Sequence, residues 1–280
     1  MPAVLNDPIV RYFAIPFVAT LILAGLIRWV GAGNRGEQTT GAALGIVFAW
    51  TSAYELGAIL FPPSGDDNNM FYMIAAGLLI GVPIDFLRTK IERNMPRLDL
   101  GIAIFFGLGA VYSLRIAFDI WTLVLLGAWV TVVARLYVVA KDASPVASAM
   151  LALAAAGLGA AAWAAGLETT LAFQLAAAAA GYFVLNWINP TMRFGMTLML
   201  TGAGALLVTG VRLAMSTHAM VPALLILGFI FFSDAPVRKL LADRKGRRRW
   251  LIPVLAAVAS LLPSVLAALA AHVGVNFEAS

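Results

Sequence analysis

Apolar stretches of about transmembrane length, joined by short hydrophilic segments, constrain this chain more than any motif in it. A bilayer core is about 30 Å thick and takes a helix of roughly 20 mainly apolar residues. Candidate spans are 10–28, 41–61, 70–87, 99–114, 119–137, 144–166, 169–188, 194–215, 219–235 and 250–274. In lipid, every backbone N–H and C=O must be satisfied inside the protein, which leaves helices or closed barrels. Stretches this long select helices. The expected fold is an all-α polytopic membrane protein, a bundle of about ten transmembrane helices forming one integral membrane domain over residues 1–280.

Composition agrees. The chain is 62% hydrophobic and 12% charged, whereas a soluble domain is about half apolar and a quarter charged. The joints are too short to hold a soluble domain of ordinary size. Residues Met1 to Val10 lack a basic region and no small-residue cleavage site follows, so a retained first helix is expected rather than a signal peptide. The weakest boundary lies in 98–140, interrupted only by Arg115 to Asp119. One helix of that length would be about 60 Å long, twice the hydrocarbon thickness. A tight hairpin with Arg115 and Asp119 at the surface is expected, with a re-entrant segment as the alternative.

Threading these spans puts sixteen of the nineteen basic residues on one side, with only Arg11, Arg115 and Arg212 on the other. Lys and Arg in short loops stay with the cytoplasm, so both termini are expected outside. The net charge of +5 is then a topology signal, with attraction to membrane lipids, and not the footprint of a nucleic-acid partner. Fifteen Arg against four Lys, with heavy Ala, Gly and Leu use, suggests a GC-rich bacterial genome and hence a cell inner membrane.

Residues 143–180 hold eighteen alanines. Alanine is weakly apolar and packs closely, so two central helices are expected there. A weak parallel repeat of helices 1–3 and 7–9 is also suggested: Trp29, Arg35 and Thr39 match Trp187, Arg193 and Thr197 at a single offset. Such repeats are common in transporters. Pro253 and Pro263 predict a bent last helix.

Ionisable groups inside the hydrocarbon are costly and therefore the first candidates for function. Glu55 and Arg212 fall in the outer parts of their helices, where an ion pair would serve as a substrate or gating site or as a structural tie. Asp85 with Arg88 and Asp234 with Arg238 are expected as local surface pairs at helix ends. Arg247, Arg248 and Arg249 offer a docking point for a partner or for anionic lipid. His218 and His272 are expected at the outer surface, solvated. No cysteine, zinc-binding, phosphate-loop or nucleophile-elbow motif occurs, so no catalytic residue, metal or cofactor is expected.

Two functions stand. One is a small-solute or lipid-linked permease. The other is a non-catalytic membrane subunit or scaffold of an envelope-assembly or energy-coupling complex, associating with other membrane proteins or with copies of itself.

Overall fold

The computed structural model describes residues 7–31, 34–56, 66–91, 96–113, 120–241 and 251–278. Among them there is no strand, and eight helices are long and apolar enough to cross a membrane. In chain order the helices are α1 (Val10–Val30), α2 (Asn34–Thr39), α3 (Ala42–Leu56), α4 (Asp66–Ile91), α5 (Pro96–Ser113), α6 (Ile120–Asp142), α7 (Ser144–Ala164), α8 (Thr170–Ile188) and α9 (Met196–Ser216). They continue with α10 (Met220–Gly228), a 3-10 turn (Phe229–Phe232), α11 (Asp234–Leu241) and α12 (Ile252–Glu278). The helices α3 and α5 are shorter apolar helices at the second and fourth places of the expected threading.

The boundaries follow hydropathy closely, with informative exceptions. The helix α4 begins at Asp66, not 70, and runs on through Arg88. Likewise α6 reaches Asp142, past the expected end at 137. Hydropathy ends where lipid ends; hydrogen bonding carries the helix further. The expected hairpin at 98–140 forms as α5 packed on α6, locked where the Trp129 indole N–H donates to the Ala103 carbonyl at 3.1 Å. Its tip, with Arg115 and Asp119, lies outside the described residues. Pro253 sits in the first turn of α12, which runs through Pro263 as one element.

Small side chains mark the central helices: alanine in α7 and α8, and glycine, alanine and threonine in α9. Within the spans of α7 and α9, 78% of residues are buried, and in α8 61%, against 17–22% in α1, α4, α6 and α12. The outer helices present Ile22, Leu79, Trp121 and Leu262 outward, which lipid covers and water would not. Lipid is as apolar as leucine, so helices associate through close packing, not through a hydrophobic drive. The longest contact is α7 along α12, followed by α7 on α8 and α8 on α1.

Within each trio of the expected parallel repeat consecutive helices touch: α1 with α3 and α3 with α4, α8 with α9 and α9 with α10. The third spanning helix, α4, lies along α9, but the matching pair of α10 with α3 makes no comparable contact among the described residues.

A tight joint forms where α9 enters between α3 and α4. Gly41 and Gly45 face Leu198 and Thr201 from one side; Gly77 and Gly81 face Leu200 and Thr197 from the other. A Cβ on Gly81 would fall 2.5 Å from the Thr197 Cα, a backbone atom that cannot swing away. Gly81→Ala is therefore expected to cost about 1–3 kcal/mol, the usual range for overpacking. Gly101→Ala, with nothing within 4 Å of the added methyl, serves as the control. Equal detergent melting temperatures for the two variants would refute this joint.

Candidate functional site

The start of α9 lacks its own cap. Its N-cap residue is Gly195, which has no side chain to offer the first amides. Asp85, one helical turn beyond Gly81 on α4, supplies the missing acceptor from a different helix. Its carboxylate accepts the Met196 N–H at 2.7 Å and the Thr197 N–H at 2.8 Å. A Cβ at residue 195 would collide with this carboxylate, so glycine there makes room for it. Negative charge at a helix N-terminus is favoured by both the unpaired amides and the helix dipole.

Two acid–base networks surround this cap. In the first, Arg88 pairs with Asp99 of α5 and lies 3.9 Å from Asp85. In the second, Asp234 receives Arg135 of α6 at 2.5 Å and Arg238 at 2.9 Å, and Arg238 continues to Asp142 at 3.2 Å. Arg135 also donates to the carbonyl of Phe231 in the 3-10 turn at 3.1 Å. The local pairs expected at these helix ends exist, but they are not surface pairs. Asp85 is 2% exposed and Asp234 1%. Each also has partners from a neighbouring helix, which a spacing argument along one helix does not reach.

The segment from α8 to α9 is fastened to the segment before α3. The Arg193 N–H donates to the Glu37 carbonyl at 3.1 Å, and the buried Tyr182 hydroxyl donates to the Arg193 carbonyl at 3.1 Å. Thr40 Oγ1 lies 3.3 Å from the same hydroxyl. Glu37 is 3.7 Å from Arg28.

These elements line a half-open cavity of 1370 Å³ at the basic end of the bundle. Its walls carry Tyr137, Trp187, Phe194, Met196 and Met199 beside Glu37, Asp85, Asp99 and Asp142, with Arg88, Lys141, Arg193 and Arg238. Met199 opens a π-helical stretch, Met199–Ala203, inside α9. Such stretches occur mostly as single turns inside α-helices, and frequently at functional sites. A second hollow of 90 Å³ lies at the opposite end between α6, α9 and α10, lined by Trp121, Leu125, Leu207, Val211 and Val221. Between the two, along the same helices, sit Trp129, Val133, Leu200, Ala203, Leu227 and Ile230, all buried.

The outer candidates are partnered otherwise than expected. Glu55 contacts Arg11 at 2.6 Å and accepts from Gln174 Nε2 at 3.5 Å; it does not pair with Arg212. Arg11 lies over the Tyr54 ring at 4.8 Å. Arg212 approaches Glu168 at 3.9 Å. The reason is the order of packing: α8 places Gln174 against α3, and α1 brings Arg11 to the same edge. His218 and His272 are exposed, as expected; His272 lies 3.3 Å from the Ala164 carbonyl. Among the described residues no group of three metal-ligating side chains gathers. Arg247, Arg248 and Arg249 lie outside the described residues.

Sequence reasoning missed Asp99, Arg135, Lys141 and Arg193 as parts of one site, having placed the three cations in topology-setting loops. The available signal was Gly195 opening a helix without a capping side chain. No protein family matches the sequence, and no curated protein matches it.

Breaking a buried ion pair by removing one member costs about 3–5 kcal/mol. Arg88 is 26% exposed and Asp99 4%, so Arg88→Gln is expected at the low end, about 3 kcal/mol. Adding Asp99→Asn to Arg88→Gln should recover part of the loss, as read by denaturant unfolding in micelles. A double variant less stable than Arg88→Gln alone would count against the pairing.

Proposed function

We propose that this chain is a permease for a small or lipid-linked solute in a bacterial inner membrane, with its basic end toward the cytoplasm. The multi-pass helical bundle is common ground for any function here. The observation that carries the permease reading is the alignment of the 1370 Å³ cavity with the smaller hollow beyond it, across one buried apolar layer. Alternating access needs such a layer, able to open on either side in turn. Irregular backbone in that layer supports the reading: the π stretch of α9 and the 3-10 turn after α10 both contact α6 there. The orientation rests on the concentration of Lys and Arg at the cavity end.

The ion pairs support the same reading. A scaffold gains little from a charged cavity inside the bundle, where each unpaired charge is costly. Arg11 and Glu55 tie α1 to α3 at the far end, consistent with a molecule closed on that side and open on the other.

The chain contains no cysteine, so single-cysteine variants report cleanly. In sealed vesicles a membrane-impermeant maleimide should label Met199→Cys from the basic side and Val211→Cys from the other. Ala203→Cys, in the layer between, should react slowly from both sides. If Ala203→Cys stays unreactive from the far side under all conditions, the scaffold reading takes over.

A further inference from the structure

The cavity wall carries four acids and four cations, but they do not all pair with one another, and the two cations left over point to a ligand class. Each acidic side chain on the wall has a cation already: Asp85 and Asp99 share Arg88, Asp142 has Arg238 and Glu37 has Arg28. Asp85 is further neutralised by two amides of α9. Arg88 and Arg238 are committed to those acids. Arg193 and Lys141 line the same cavity, and no carboxylate among the described residues pairs with either. The Arg193 backbone is held at both its N–H and its carbonyl, so this cation projects from a fixed point. The walls beside these cations are apolar and aromatic: Tyr137, Trp187, Phe194 and the sulfur-bearing Met196 and Met199.

We infer that the cavity binds an organic oxyanion, a phosphate or carboxylate on an apolar body, with Arg193 and Lys141 taking the charged group and the aromatic and methionine wall taking the rest. A guanidinium presents a planar fork matched to such oxygens and an ammonium presents a point charge, so the two together suit an oxyanion. Both cations are exposed and reachable from solvent, and an anion would complete the two charges that no described carboxylate pairs with, which a cationic ligand would not. The inference rests on the permease reading of the same cavity and names its substrate class. The anion has two sources: a soluble metabolite from the basic side or the headgroup of a lipid.

The test uses the full chain carrying Met199→Cys, in phosphatidylcholine nanodiscs, and reads the rate of maleimide labelling at the cavity floor. Phenyl phosphate is the soluble probe and phosphatidic acid in the disc the lipid probe; inorganic phosphate tests the need for an apolar body. The expected result is that one organic probe slows labelling, and that inorganic phosphate does so more weakly. Arg193→Gln with Lys141→Gln should weaken that protection by roughly tenfold or more, the scale of a lost charge-assisted hydrogen bond. Lys239→Gln, an exposed cation off the cavity wall, should leave it unchanged. Protection by phenyl phosphate alone assigns a soluble anion; protection by phosphatidic acid alone assigns a lipid. Each variant's melting temperature is measured first; if the double variant does not fold, Arg193→Gln alone carries the comparison. No protection by either organic probe, or protection indifferent to the two cations, overturns the inference. Its failure is separable from that of the permease reading: access from both sides without protection sinks only the anion, and protection without two-sided access sinks only transport.

Discussion

A single carboxylate caps a helix that it does not belong to, and much of the basic end is arranged around that fact. Asp85 can reach the first amides of α9 only because Gly81 lets the two backbones approach and Gly195 leaves the space open. Uncapped amides at the margin of a membrane have poor access to water, and each would cost a few kcal/mol. The cap therefore sets where α9 begins and how far it lies from α4. Arg88 then compensates the buried charge and extends the tie to α5 through Asp99. One acid thus coordinates three helices.

Arginine does a related service on the far wall. The 3-10 turn after α10 disturbs the regular hydrogen-bonding of the helix, and Arg135 takes up the Phe231 carbonyl while pairing with Asp234. Irregular backbone at membrane depth survives where side chains satisfy it. The same residue type that orients a chain across the bilayer thus also repairs its helices. Cations can perform both tasks because helix ends are wet enough to hydrate a guanidinium and dry enough to make its hydrogen bonds count.

Much of the architecture was readable from residue order. Spans emerged from hydropathy because lipid thickness imposes one length on every crossing. The central position of α7 and α8 followed from their alanines, because only small side chains allow close approach on several sides. The site was less readable. Asp85 and Asp234 could be singled out as charges at helix ends, but not as buried, because burial depends on which neighbours arrive. Glu55 was recognised as a charge needing a partner, yet three arginines were expected at the far end, and packing order chose Arg11 over Arg212. Arg193 and Lys141 looked like ordinary loop cations. Only the packing shows that both line the cavity.

Alanine at the centre also governs how the molecule can change shape. The contacts of α7 with α8 and α12 rest largely on side chains that have no rotatable χ angle. Such a surface loses no rotamer entropy on assembly. It also stores no alternative packing to switch between, and it cannot swell to follow a neighbour. The three helices should therefore move as one block. Rearrangement falls to the rest of the bundle, in particular to α6 and the irregular stretches it meets, where long side chains can exchange one set of contacts for another.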